Sequence, residues 1–246
     1  MTKKININID HIATLRNARG GSFPDPMEAV KIIENTKAKG ITIHLREDRR
    51  HIKDEDAIKI NKNSHLPLNF EMAATKEMLQ IALDLKPKSV CIVPEKREEI
   101  TTEGGLDVIK NQDNLSKIIN KLGQNNILTS LFIEPDEQQM IISKKIGADI
   151  IEIHTGKYCN LAEEFGINHE KTEEEFDKIK NIAKKSLELG LECHAGHGIN
   201  YQTIVKINQI AQISTLHIGH FAICQSIFVG LENVINKLIE LTTIKE

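Results

Sequence analysis

The stretch ILTSLFIEPDEQQMIISKKIGADIIEIH, residues 127–154, sets the grammar of the whole chain. It opens on a β-rich run, ILTSLFI (127–133). A helical segment at 136–146 follows, opened by Asp136 and Glu137, acids that suit the positive end of a helix. After GA the chain returns to a second β-rich run, DIIEIH (149–154). Two short aliphatic runs joined through one helix read as a β-α-β unit with parallel strands.

The same unit repeats in both directions. Runs at 4–9, 41–45, 67–72, 89–93, 191–195 and 215–219 are rich in Ile, Val or Leu, as strands covered on both faces tend to be. Helical patterns lie between them. Residues 26–39 have Asp25 as N-cap and Pro26 at the first helical position. Others fall at 75–86, opened by Thr75, at 173–189, stopped by Gly190, and at 225–242. Weaker ones fit at 54–63, 112–122 and 201–211. Eight strands and eight helices then alternate with no linker between them. The expectation is a single α/β domain over residues 1–246, a closed (β/α)8 (TIM) barrel with parallel strands. An open sheet is the alternative, and the missing GxGxxG after the first strand weakens its dinucleotide-binding form.

Composition narrows the partners. The 246 residues are 40% hydrophobic and 27% charged, with net charge −3, so no bulk attraction to nucleic acid is expected. The cysteines, Cys91, Cys159, Cys193 and Cys224, form no CxxC, which fits a reduced cytoplasmic protein. No apolar run is long enough for a membrane span, and MTKKININID does not read as a signal peptide. All six Arg lie between Arg16 and Arg97, three of them in HLREDRRH (44–51). Their planar forks suit phosphate or carboxylate.

A barrel of this kind keeps its chemistry at the C-terminal ends of its strands. Those ends carry Asp10 and His11, His44 and Arg46, Glu71, Glu152 and His154, His197, and His220. Glu71, set between Phe70 and Met72, would have its pKa raised toward a useful general base if it faces inward. Gly196, Gly198 and Gly219 follow the last two strands, where barrels bind phosphate through backbone N–H groups. A metal-dependent hydrolase would also use His and Asp at strand ends. Here strand 1 ends in D-H rather than H-x-H and no acid ends strand 8, which weakens the metal reading without closing it. No strand offers the central lysine of a Schiff-base aldolase. A phosphometabolite-binding protein without catalysis is the third possibility.

The segments NIDHIATLRNARG (8–20), GITIHLREDRRHI (40–52), NFEMA (69–73), VPEKREEITTEGGLD (93–107), IEIHTGKY (151–158), AGHG (195–198) and IGH (218–220) resemble the pyridoxine 5′-phosphate synthase family, in family order along nearly the whole chain. The resemblance implies condensation of 1-deoxy-D-xylulose 5-phosphate with 3-amino-2-oxopropyl phosphate, giving pyridoxine 5′-phosphate, phosphate and water. By the same resemblance His44 and Glu71 accept protons, His197 donates one and Glu152 stabilises a transition state. Asn8, Arg19, Gly198, Gly219 and His220 match contacts to the amino-ketone phosphate. Asp10, His11, Arg46, His51 and Thr101 match contacts to the deoxyxylulose phosphate, and 101–105 matches a closing loop. Two phosphorylated substrates, a homo-octamer built as a tetramer of dimers, and no metal or other cofactor are also implied, the last by the resemblance alone. Arg16, Arg49, Arg50 and Arg97 fall in motifs expected to line the mouth. Two positions depart from the family pattern: His194 stands where an Asn is usual, and Gln225 where an Arg is.

Overall fold

Alternation along each strand decides which way the sheet curls. In the computed structural model, which describes residues 3–95 and 104–243, eight parallel strands pair in sequence order, and the last pairs with the first. They are β1 (Lys4–Asn8), β2 (Gly40–His44), β3 (Leu68–Met72), β4 (Ser89–Ile92), β5 (Leu128–Ile133), β6 (Ile150–His154), β7 (Glu192–Gly196) and β8 (Ile213–Ile218). All eight expected strands form, each within about two residues of its expected limits, as end-fraying allows. The sheet is the closed barrel, not the open alternative.

One face of every strand is aliphatic and covered by helices. Ile5, Ile7, Ile41, Ile43, Phe70, Met72, Ile92, Leu131, Ile133, Ile151, Ile153, Leu216 and Ile218 are all buried. Each contributes about 1.5–3 kcal/mol of transfer free energy. The other face points into the barrel and is largely polar: Asn6, Thr42, Asn69, Glu71, Ser89, Ser130, Glu152, His194 and His217, with Cys91 and Phe132 forming a small apolar patch among them. Contacts between strands that are not neighbours establish this, since they can only cross the interior. Thr42 Oγ1 on β2 reaches His217 Nδ1 on β8 at 3.0 Å. Cys91 Sγ on β4 donates to Glu152 Oε2 on β6 at 3.6 Å. Barrels of this class usually fill that space with Val, Ile and Leu. Here it holds titratable groups.

Eleven helices form among the described residues: α1 (Asp10–Arg19), α2 (Pro26–Glu34), α3 (Asp54–Asn63), α4 (Lys76–Leu85), α5 (Val108–Gln124), α6 (Glu137–Lys145), α7 (Gly156–Phe165), α8 (Glu170–Glu188), α9 (Tyr201–Ile207), α10 (His220–Val229) and α11 (Leu231–Thr242). The expected caps hold at α2, where Asp25 accepts from Met27 N at 2.9 Å, at α4 through Thr75 and at α6 through Asp136. Three more helices form than the sequence pattern implied. The segment 225–242 is two helices, because Gly230 at φ 86° breaks it. α1 and α7 were not expected. Neither has a side-chain N-cap, so the start signal that marks α2, α4 and α6 is missing. α1, α7 and α10 follow β1, β6 and β8 closely, so all three start at the C-terminal end of the barrel.

Candidate active site

Asp10 ties the first two strands together at that end. Its Oδ1 accepts the backbone N–H of His44 at 2.8 Å, and its Oδ2 accepts Asn8 Nδ2 at 2.8 Å. Asp10 N in turn donates to Asn8 Oδ1 at 2.9 Å. The carboxylate therefore fixes the turn into α1 and the position of His44 at once. His11, one residue on, meets His220 with ring centroids 5.0 Å apart. Burial and His220 push the His11 imidazole below its ordinary pKa, against the pull of Asp10. His51 is lowered too, chiefly by burial.

Two carboxylate–imidazole pairs stand on opposite sides of the mouth. On one side, His44 Nε2 lies 2.8 Å from Glu95 Oε1, and Glu95 Oε2 accepts Glu47 N at 3.1 Å. Burial opposes ionisation of Glu95, but the His44 ring, the Glu47 amide and Arg46 hold its carboxyl below the usual range. With Glu95 ionised, the proton between the two groups sits on His44 Nε2, the arrangement of an imidazole oriented by an acid. On the other side, His154 Nδ1 lies 2.8 Å from Glu134 Oε1, and that bond holds Glu134 low. The His154 ring sits 5.0 Å from His197. Glu95 and Glu134 were not among the expected site residues. Their position just past β4 and β5, at the active end of the barrel, was the available signal.

His197 has φ 75°, left-handed for a non-glycine residue, and Thr155 Oγ1 donates to its carbonyl at 2.6 Å. Desolvation, with His154 and His220 nearby, lowers its pKa to about 4. It is thus neutral at pH 7.

The floor beneath these rings is carboxylic acid. Glu71 is partly exposed to the mouth, and Glu152 lies buried on β6. Burial drives both upward, and each ionised group would repel the other. Glu71 stands well above 4.5, raised by desolvation, by Glu152 and by Asp10. Glu152 is raised to about 8 by desolvation, against the Cys91 hydrogen bond. Gly196 makes room for it, since a Cβ there would lie 2.1 Å from Glu152 Oε1.

The structure thus brings together, at one end of the barrel, Asn8, Asp10, His11, His44, Arg46, His51, Glu71, Glu152, His197 and His220 with the glycine loops. Gly198 has φ 81° and packs on Cys159, while Gly219 packs on Asn8 and opens α10. Arg19 lies exposed in the last turn of α1. Thr101, Arg97 and residues 101–103 of the expected closing loop lie outside the described residues. Not every arginine serves the mouth as expected. Arg16 pairs bidentately with Asp56 at 2.6 and 2.8 Å, and Arg49 pairs with Asp54 and Glu77. Asp48 pairs with Arg50 at 2.6 Å and lies 3.5 Å from Arg46. Arg16 and Arg49 brace the loop after β2, which carries Arg46 and His51.

One atom each from Asp10, His44 and His51 falls within 4.8 Å of the others, a spacing that could hold a metal ion. Both Asp10 oxygens, His44 Nε2 and His51 Nδ1 already take part in hydrogen bonds within the protein.

A profile of the family described as "Pyridoxal phosphate biosynthesis protein PdxJ" matches residues 5–244. The chain is 50% identical to the pyridoxine 5′-phosphate synthase of Rhodospirillum rubrum over 235 residues, 96% of this chain and 92% of that one. It is also 50% identical to the enzyme of the same name from Wolbachia pipientis of Culex pipiens, over 96% of this chain and 97% of that one. The chain belongs to the pyridoxine 5′-phosphate synthase family. Solved barrels of other names share the fold: 3-keto-L-gulonate-6-phosphate decarboxylase from Vibrio cholerae superposes with TM-score 0.64 at 12% identity, covering 98% of both chains. Phosphoribosyl anthranilate isomerase from Thermococcus kodakaraensis gives 0.62 at 8% identity, covering 99% of this chain and 100% of that one. At such identities only the architecture is shared, and family membership rests on the closer relatives.

Proposed function

We propose that the chain condenses 1-deoxy-D-xylulose 5-phosphate with 3-amino-2-oxopropyl phosphate to form pyridoxine 5′-phosphate, releasing phosphate and water. Membership of the family supports the activity. The observation that carries the mechanism is the meeting of two raised carboxyls, Glu71 and Glu152, with the imidazoles of His44 and His197 at one mouth.

The chemistry needs protons moved at several atoms. Forming an imine takes a proton from the substrate's amine nitrogen and gives one to the departing hydroxyl. Closing the ring takes a proton from carbon next to that imine. Glu71, with its affinity for protons raised by burial, by Glu152 and by Asp10, is a stronger base than an ordinary carboxylate once ionised. His44, held by Glu95, accepts at its other ring nitrogen. Glu152, neutral at pH 7 from its pKa of about 8, donates a hydrogen bond to developing negative charge.

His197 is the proton donor, and with a pKa lowered to about 4 it needs a negative charge nearby to carry a proton at pH 7. A phosphate charge 4 Å away is worth about 4 kcal/mol at an effective dielectric near 20, or about three pK units. That is enough to bring His197 from about 4 to near 7. Substrate charge thus arms the acid.

Gly198, Gly219, His220, Arg19 and Asn8 hold the amino-ketone phosphate. Arg46, His51, His11, Asp10 and Thr101 hold the deoxyxylulose phosphate. The chain works in the cytoplasm as a homo-octamer. Ile227, Phe228 and Val229, exposed together at the end of α10, supply an apolar face for a second copy. Mixing purified protein with both substrates and detecting pyridoxine 5′-phosphate tests the proposal. Glu71→Gln and His44→Ala each cost at least a hundredfold in kcat with little loss of stability.

A second reading, metal-assisted hydrolysis, is favoured by the Asp10, His44 and His51 cluster. It requires stoichiometric Zn or Mn in the purified protein and loss of activity with chelator.

A further inference from the structure

One imidazole at the mouth takes no part in the steps above. His154 ends β6 and is 8% exposed. Its Nδ1 lies 2.8 Å from Glu134 Oε1, and its Nε2 is buried with no hydrogen-bond partner among the described residues. Glu134 is held below the usual carboxylate range, chiefly by that bond, so it is ionised at pH 7 and Nδ1 carries the proton. The same Oε1 accepts the backbone N–H of Gly105 at 2.8 Å. Phe132 meets the His154 ring edge-on, with centroids 5.1 Å apart. The His154 imidazole is therefore fixed in plane and in tautomer. With one nitrogen engaged and the other buried, it offers neither to a substrate.

His197 is the opposite case. It is exposed to the mouth, and its ring makes no hydrogen bond among the described residues. Its ring contact is with His154, centroids 5.0 Å apart and planes at 54°. Gly156, the first residue of α7, gives that contact its room. A Cβ there would stand 2.6 Å from His154 Nε2 and 2.8 Å from His197 Cδ2, so a side chain at 156 would drive the rings apart. Thr155, between them in the chain, donates its hydroxyl to the His197 carbonyl at 2.6 Å. Backbone and ring of His197 are thus both set by the three residues 154–156.

We propose that His154, anchored by Glu134, is a positioning residue that holds the His197 ring at its working angle. This role rests on the reading of the site above, in which His197 donates a proton. Without the His154 ring, the His197 side chain is free to turn, and a misplacement of about 1 Å costs on the order of a hundredfold in rate. The anchor also carries charge. Glu134 favours the protonated donor, while burial, His154, His220 from α10 and His11 from α1 oppose it. Glu134 supplies part of the negative charge that His197 needs, and the substrate phosphate supplies the rest.

The test is turnover to pyridoxine 5′-phosphate, read as kcat, as KM for both substrates and as the pH profile of kcat, with melting as the check on folding. His154→Asn puts an amide N–H near the place of Nδ1, so the bond to Glu134 is kept while the ring is lost. Its kcat falls about tenfold or more, and both KM values stay within about threefold. Gly156→Ala suits the backbone of α7 but separates the rings, and gives the same split. Glu134→Gln keeps an oxygen for Gly105 and His154 and removes only the charge. Its alkaline limb, where the donor loses its proton, moves to lower pH by about half a unit or more. A purely structural contact leaves that limb in place. Where His154→Asn fails to fold, Gly156→Ala and Glu134→Gln carry the test. Wild-type kcat in the folded ring variants overturns the positioning role, as does an unmoved alkaline limb in Glu134→Gln. His197→Asn separates the two levels: turnover at the wild-type rate removes His197 as donor, and the role of His154 with it. Loss of turnover in His197→Asn, beside wild-type kcat in His154→Asn and Gly156→Ala, overturns the positioning role alone.

Discussion

Replacing Glu152 by Gln should make the protein more stable as pH rises. The carboxyl sits buried on β6 with its pKa at about 8, against an ordinary value of 4.5. Between those values the folded state holds a proton that the unfolded state has lost. Stability therefore falls as pH climbs through that window and levels off above pH 8. At about 1.4 kcal/mol per unit the full shift amounts to roughly 5 kcal/mol. Local relaxation and water entry reduce this, so about 2–5 kcal/mol is expected. Gln has nearly the shape of the neutral acid and still accepts the Cys91 thiol, but it cannot ionise. It also removes the repulsion that raises Glu71, which acts in the same direction. The assay is urea unfolding of both proteins from pH 5 to pH 9 at one fixed protein concentration, since assembly adds concentration-dependent stability. The variant's advantage should grow by about 2–5 kcal/mol across that range. A difference that is constant within about 0.5 kcal/mol would show that Glu152 ionises normally and would refute the reading of the barrel floor.

Other consequences follow from the same contacts. Gly196→Ala puts a Cβ 2.1 Å from Glu152 Oε1; it should cost about 1–3 kcal/mol by overpacking and lower kcat, read by thermal melting and turnover. Asp56→Ala leaves the Arg16 guanidinium, 6% exposed, without its bidentate partner. A loss of about 3–5 kcal/mol is expected, with weaker substrate binding as the loop after β2 loosens; wild-type melting would count against a bracing role. The His197 imidazole, at about 4, should move up by about one to three units when a phosphate ester binds, followed by NMR titration. An unmoved resonance would remove His197 as the armed acid.

The barrel was readable from sequence because each strand is a short aliphatic run bounded by turn and cap residues. ITIHL carries His44, and DIIEIH carries Glu152 and His154, toward the C-terminal end, which puts these residues on the rim where such a barrel keeps its chemistry. The partners were harder. Glu95 meets His44 across 51 residues and Glu134 meets His154 across 20, so neither pairing leaves a local pattern. α1 was invisible because Ile9 caps it without a side-chain bond and DHIATLRNAR has no clean apolar stripe. The arginines were only partly legible. A guanidinium suits phosphate and aspartate equally, and only the fold shows that Arg16 took Asp56. The contact between His194 and His217 across the barrel interior was hidden for a further reason. His194 and His217 lie on neighbouring strands whose register shifts at Cys193/His194, and register sets which side chains meet.

The most direct test of the central claim is the reaction itself. Purified protein given 1-deoxy-D-xylulose 5-phosphate and 3-amino-2-oxopropyl phosphate should release inorganic phosphate and pyridoxine 5′-phosphate in equal amounts, without added metal. Folded protein that binds both phosphates yet forms no pyridoxine 5′-phosphate would contradict the account.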